Sequence, residues 1–328
     1  MGTVPAKKRG NHSMGSYVFN RLLQFVPTLF VVSVVVFLMV RAIPGDASYA
    51  LLGPTAKPEQ IAALRAEMGL DKPIWRQYLV WIEGVLRGDL GRSWINDFPV
   101  ADLIRQKLPA TIVLAVGSMA IAVLIAIPMG ILPALRPGSW IERVAALYNG
   151  LMLAIPTFWL GVLLVLVISL RLGWLPPSGY VPFGEDPVQS IKLLILPSFT
   201  LGAYLSAIFA RFLHNAMTET LSQDYVRTAA AKGLAERLVV RRHVLRNALI
   251  PVVTMLGIQF GGLLGGAVIV EAIFDWPGLG RLLVTSISSR DYAVVQGTIL
   301  LAASAFLFVN LLTDLTYGLL DPRIRTAE

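Results

Sequence analysis

Six long runs without a single charged residue constrain this chain more than anything else in it: Leu22–Val40, Thr111–Leu135, Val144–Leu170, Leu193–Ala210, Ala248–Val270 and Ala293–Thr313. A helix that crosses a bilayer needs about 20 apolar residues. Backbone polar groups find no water in hydrocarbon, so runs of this length are read as helices. The expected fold is therefore an all-α polytopic membrane protein with six transmembrane helices. Composition agrees: of 328 residues only 15% are charged and 55% are hydrophobic, against about 25% charged in a soluble domain. The fourth run is the shortest and is expected to extend through Arg211, whose long side chain can reach the interface.

Net charge is +8, and the cations sit between apolar runs. That distribution fits basic loops beside a membrane and argues against a nucleic-acid footprint. There is no cysteine, so disulfides and thiolate metal sites are excluded, and the three histidines, His12, His214 and His243, are far apart. No metal site is expected.

Orientation follows from Lys and Arg in the short loops. Lys7, Lys8, Arg9 and Arg21 precede the first run; Arg136 and Arg143 follow the second. Arg211, Arg227, Lys232, Arg237, Arg241, Arg242 and Arg246 follow the fourth, and Arg323 and Arg325 follow the sixth. The alternate loops carry only Arg171 with Lys192, and Arg281 with Arg290. Both termini are expected to be cytoplasmic. The organisation predicted is a tail over 1–21, a first helix over 22–41 and an extracytoplasmic segment with short helices over 42–108. A five-helix core over 109–317 then contains a cytoplasmic loop at 212–247, and a tail covers 318–328. The first run is too long for a cleaved signal, and Ser48-Tyr49-Ala50 lies well beyond it, so that helix is expected to be retained.

Pro27, Pro128, Pro156, Pro197 and Pro251 fall inside the runs. They read as tolerated kinks or as hinges. Gly257, Gly261 and Gly265 recur every fourth residue, a spacing that favours close approach of another helix, in this chain or a second one. In the outer segment, residues 58–70 read as a short amphipathic helix with Ile61, Leu64 and Met68 on one face and Gly69 at its end. Trp75, Tyr78, Leu79, Trp81, Ile82 and Leu86 suggest a second, interfacial helix. The segment is either a cap on the core or a docking surface.

The loop after the fourth run is longer than a connector requires. Ser222 is a candidate cap, Asp224 complements the helix dipole, small residues continue to Lys232, and Gly233 suits a left-handed C-terminal turn. A second helix is expected near Glu236. A short alanine-rich helix lets a neighbour approach closely and is too short to be stable alone. It is either a plug into a partner protein or an interfacial helix under lipid headgroups. The other marked turn is Phe274-Asp275-Trp276-Pro277-Gly278-Leu279-Gly280, where Pro-Gly forces the chain round. It is either a buried re-entrant corner or a finger that probes a partner.

These segments carry a family resemblance. Asp224-Tyr225-Val226-Arg227-Thr228-Ala229, then Ala231-Lys232-Gly233-Leu234 (with Ala230 between), then Arg246-Asn247-Ala248-Leu249-Ile250-Pro251, resemble the dipeptide/oligopeptide/nickel branch of type I ABC importer permeases. So do Pro44-Gly45-Asp46, Gly88-Asp89-Leu90-Gly91 with Ser93, Leu108-Pro109-Ala110-Thr111, Glu271 with Phe274 and Pro277-Gly278-Leu279-Gly280, Arg290-Asp291-Tyr292 and Leu320-Asp321-Pro322-Arg323. Against the general coupling motif of such permeases the loop departs: Arg227 replaces Glu, Thr228 replaces Ala, His243 replaces Ile and Arg246 replaces Pro.

The resemblance implies a permease subunit of the bacterial or archaeal cell membrane that forms half of a translocation pathway for peptides or a related small solute. It implies pairing with a second, homologous permease. Asp224 to Leu234 would dock one of two cytoplasmic ATPases, and Phe274 to Gly280 would serve as a gate or meet an extracytoplasmic solute-binding protein. ATP and Mg would sit in the partner ATPases, because this chain has no Gly-Lys-Ser or Gly-Lys-Thr phosphate loop. It would bind no cofactor and catalyse nothing. A membrane hydrolase would need a nucleophile and base from residues such as Ser118, Ser206 and His214. An ion-coupled transporter would place charges inside the spans, whereas Arg211, Glu271 and Asp314 lie at their edges.

Overall fold

The computed structural model describes residues 14–42, 48, 52 and 56–320. The basic N-terminal tail with Lys7 to Arg9, the Pro44-Gly45-Asp46 segment and the C-terminal Asp321-Pro322-Arg323 with Arg325 lie outside the described residues. Among those described there is no strand, only one isolated bridge between Arg92 and Pro99.

The first helix, α1 (Met14–Arg41), carries the first apolar run. Two short helices follow, α2 (Pro58–Glu67) and α3 (Ile74–Leu86). On α2, Ile61 is buried and Gly69 closes the turn at φ +66°, as the periodicity predicts. On α3 the aromatic residues divide. Tyr78 and Trp81 pack against Phe37 of α1, and Tyr78 Oη bonds Ser33 Oγ at 2.8 Å. Trp75, Leu79 and Leu86 stay exposed. This part of the segment that follows α1 is thus riveted to α1 by one helix face.

The core is built on α4 (Val100–Leu135) and α7 (Pro187–Leu221). These helices run about 54 and 52 Å at 1.5 Å per residue. They pack along their length, and α7 is the most buried span, at 67% of its apolar window. Gly202 allows this approach: a Cβ there would lie 2.8 Å from the Ser118 carbonyl oxygen.

The third run is not one straight helix. It forms α5 (Trp140–Ala154) and α6 (Thr157–Leu164, continued by a π-helical turn, Val165–Arg171), bent by 102° between them. Pro156 is more than a kink here. It forces Ile155 into an extended conformation (ψ 123°), as a following proline does. Among the described residues, the helices long and apolar enough to cross a membrane therefore number five, or six when the bent pair is counted as one span.

After α7 comes α8 (Asp224–Ala231), then α9 (Glu236–Val239) with a π-turn (Val240–Val244) leading into α10 (Leu245–Gly266). The chain closes with α11 (Val268–Ile273), α12 (Leu279–Ser288) and α13 (Tyr292–Leu320). On α10, a Cβ at Gly257 would collide with Thr313 of α13, and one at Gly261 would meet Phe306 at 3.0 Å. The glycine series thus seats a helix of the same chain at two positions. Gly265 meets nothing within 4 Å.

Candidate functional site

The helices α4 and α7 join two constructed ends. At one end sits α8. Its Val226 and Ala229 are buried, three residues apart on one face. They pack into a cluster with Ala134 of α4, Leu213 and Met217 of α7, and Val239, Val244 and Ala248. The chain itself thus supplies the apolar bed that so short a helix needs. Every other residue from Asp224 to Leu238 is exposed, Tyr225, Arg227, Thr228, Ala230, Ala231, Lys232, Gly233 and Leu234 among them. Leu234 and Leu238 present apolar side chains outward.

Local sequence sets this geometry. Gln223, not Ser222, is the N-cap, and it makes no side-chain cap. The Ser222 hydroxyl instead donates to the Glu219 carbonyl at 2.7 Å, which ties it to the end of α7. Gly233 ends the helix at φ +78°, with open space where a Cβ would stand. The glycine is therefore demanded by backbone conformation and not by crowding. Tyr225 Oη accepts from Asn247 Nδ2 at 3.1 Å, linking α8 to the start of α10. Asp224 and Arg227 approach to 3.6 Å with both side chains exposed, a pair of small energetic weight.

At the other end the Phe274–Gly280 turn is buried. Phe274, Trp276, Gly278, Leu279 and Gly280 are closed off, Pro277 is half-buried and only Asp275 is exposed. Trp276 Nε1 donates to the Ala110 carbonyl at 2.8 Å, and its ring meets Tyr180 edge-on at 4.8 Å. Of the two readings of this turn, the geometry is that of a buried corner, with Trp276 as the plug beneath it.

Glu271 organises this corner. It is fully buried and lies beyond the apolar span that ends at Gly265. Thr111 Oγ1 donates to its Oε1 at 2.8 Å, and the Arg281 N–H donates to Oε2 at 2.9 Å. The Gly280 N–H is a further donor to the carboxylate, while the Leu279 N–H donates to Thr111 Oγ1 at 2.8 Å. One carboxylate and one hydroxyl therefore satisfy three free N–H groups in the first turn of α12. Burial pushes the Glu271 carboxyl above the ordinary range, against the pull of the Arg281 N–H, the Thr111 hydroxyl and the Gly280 N–H toward the charged form. A Cβ at Gly278 would stand 2.1 Å from this carboxylate, which explains the glycine. The sequence places Glu271 at the edge of a span and in the family motif, but not as a cap; the Pro-Gly-x-Gly run six residues on is the signal that a helix N-terminus needs one.

The hydroxyls weighed as nucleophiles are occupied. Ser118 Oγ donates to the Leu114 carbonyl and Ser206 Oγ to the Ala203 carbonyl, each at 2.7 Å, the common fate of serine in an apolar helix. No cluster of three or more metal-ligating side chains occurs among the described residues.

A polytopic helical membrane protein with a surface-presented loop helix at one end and a carboxylate-locked corner at the other is the class defined so far. Family comparison completes it. Residues 126–326 match the binding-protein-dependent transport system inner membrane component, and residues 14–115 match the N-terminal part of such membrane components. The chain is 45% identical over 312 residues to the glutathione transport system permease protein GsiC of Escherichia coli K12, covering 95% of this chain and 99% of that protein. The protein of the same name from Shigella flexneri serotype 5b is 44% identical over the same span. Two inward-facing crystal forms of the MetNI methionine ABC transporter share the fold, with TM-scores of 0.55 and 0.56 at 20% and 18% identity, over 67% of this chain and 96% of theirs. The chain belongs to the binding-protein-dependent transport system inner membrane component family, and it is an ABC importer permease.

Proposed function

We propose that this permease forms half of a translocation pathway for small peptides or peptide-like solutes, paired with a homologous permease, and that α8 is its contact with a cytoplasmic ATPase. The observation that carries the reading is the two-sided construction of α8. Val226 and Ala229 anchor it to the inner ends of α4, α7 and α10, while its other residues face outward. A force on that outer face is transmitted directly to the two longest core helices. ATP and Mg would reside in two separate ATPase subunits, and this chain would be non-catalytic.

The distribution of cations supports the assignment. The α8 end carries exposed Arg136, Arg143, Arg227, Lys232, Arg237, Arg241, Arg242 and Arg246, the excess of cations expected on a cytoplasmic face. The buried corner then faces an extracytoplasmic binding protein, offering Asp275 and the edge of Pro277. The glutathione permease relatives favour a small peptide-like solute carrying both amino and carboxyl groups. Reconstitution with partner ATPases tests the reading: replacing Gly233 by valine should uncouple ATP hydrolysis from uptake and leave membrane insertion intact. Uptake at the wild-type rate in that variant would reject α8 as the coupling element.

A further inference from the structure

Two residues that line one cavity each carry a buried polar atom without a partner. Asn149 Oδ1 on α5 and His214 Nδ1 on α7 are closed off from the exterior and have no hydrogen-bond partner among the described residues. Both residues line a cavity of about 330 Å³ between α4, α5 and α7. An unpaired buried polar atom is costly and uncommon in a native fold, and here two such atoms belong to residues that line the same cavity. The same cavity is lined by Glu142 from α5 and Arg211 from α7, so its two walls bring opposite charges. Glu142 accepts from the Gly138 N–H through one oxygen, Oε2, at 2.6 Å, which leaves Oε1 for another donor. Arg211 takes part in no ion pair among the described residues. Ala145 and Gly150 keep the α5 wall shallow.

We propose that this cavity binds a small zwitterion carrying a primary ammonium and an oxyanion. An ammonium has three donors and no acceptor. Glu142, with Oε1 free, is an acceptor suited to it. The oxyanion is matched by the Arg211 guanidinium on the opposite wall. The volume falls at the small end of ligand pockets, about 300–1,000 Å³. Glu142 stands in the first turn of α5 and His214 two turns from the end of α7, so the site lies at the end of the bundle that bears α8. Two sources offer this chemistry there: an aminated phospholipid headgroup in the adjoining leaflet, or a soluble amino-terminal, carboxyl-terminal solute. The proposal does not depend on the transport assignment.

The test uses the full chain in nanodiscs made of phosphatidylcholine, whose quaternary ammonium has no N–H donor. Phosphatidylethanolamine is titrated into one set and its retention read by native mass spectrometry. Glycylglycine is titrated against another, with N-acetyl-glycylglycine as the blocked control. The expected result is saturable binding of at least one primary amine, with the blocked or quaternary analogue at least tenfold weaker on the unmodified chain. Glu142→Gln and Arg211→Gln should each weaken it by tenfold or more. Retention of phosphatidylethanolamine alone identifies the lipid source, and binding of glycylglycine the soluble one. The proposal is overturned if neither probe binds, or if the blocked analogues bind as well as the amines. The analogue comparison needs no mutation, so a folding defect in a variant cannot decide it.

Discussion

Thr111 Oγ1 donates to Glu271 Oε1 at 2.8 Å and accepts from the Leu279 N–H at the same distance, across 160 and 168 residues of sequence. This hydroxyl, together with the Trp276 bond to the Ala110 carbonyl, fastens the corner to α4. Twenty-three residues further along α4, about 35 Å at 1.5 Å per residue, Ala134 packs in the cluster that seats α8. The two ends of the molecule therefore share a single continuous helix.

Thr111→Val keeps the shape and removes the hydroxyl. It leaves the Leu279 N–H buried without an acceptor, a loss of about 1–3 kcal/mol. Thermal unfolding of the solubilised protein should show the lower midpoint. An unchanged midpoint would mean that the clamp does not hold the corner.

The Glu271 carboxyl, raised by burial, gives this corner a pH dependence. A carboxyl whose folded pKa is raised stabilises the fold fully below its unfolded pKa, and that contribution is lost as pH rises through the folded pKa. Glu271→Gln cannot titrate. The stability of the wild type relative to Glu271→Gln should therefore fall as pH rises above the ordinary carboxylate range, about 4.3. A wild-type advantage that grows with pH would contradict the shift.

Trp276 and Asp275 are neighbours with different duties. Trp276→Ala empties a fully buried site and breaks the bond to the Ala110 carbonyl, so it should destabilise by about 3–5 kcal/mol. Asp275→Asn changes an exposed side chain that pairs with Arg281 and should shift stability by less than about 1 kcal/mol. If the corner meets a binding protein, Asp275→Asn should alter binding-protein-stimulated ATP hydrolysis without altering the melting temperature. No change in stimulation would remove Asp275 from that contact.

Gly233 and Arg227 separate backbone demand from surface recognition. Asparagine tolerates a left-handed conformation and valine does not. Gly233→Asn should retain most uptake, and Gly233→Val should lose it, though nothing crowds either side chain. Arg227→Glu should leave the melting temperature within a degree or two, because its ion pair is exposed. It should weaken association with the ATPase if the receiving pocket is acidic. Equal ATPase affinity in both charge states would dismiss that pocket.

Much of the architecture was legible because hydrocarbon leaves a chain few options. Charge-free runs located the spans, and Gly233 marked the end of a helix through a conformation that other residues avoid. Pro156 was visible, yet the pattern could not tell a kink from a 102° break, since that depends on what α5 and α6 pack against. Ser222 had the chemistry of a cap but had already committed its hydroxyl to α7. The corner was least legible. The Pro-Gly turn left a buried corner and a finger both open, because the partner of Trp276, Ala110, and the Thr111 donor to Glu271 come from a distant segment, and spacing carries no trace of them. The same holds for Asn149 and His214, whose shared cavity is visible only once α5 folds back on α7.

The absence of cysteine permits a direct test of the central claim, that α8 presents its outer face to an ATPase. Single cysteines at Thr228 (exposed), Ala229 (buried) and Asp275 (exposed, at the opposite end) can be compared in membranes that contain the assembled transporter and a thiol-reactive crosslinker. The account predicts a crosslink to the ATPase from Thr228→Cys, and none from Ala229→Cys or Asp275→Cys. An ATPase crosslink from Asp275→Cys, with none from Thr228→Cys, would contradict both the orientation and the role of α8.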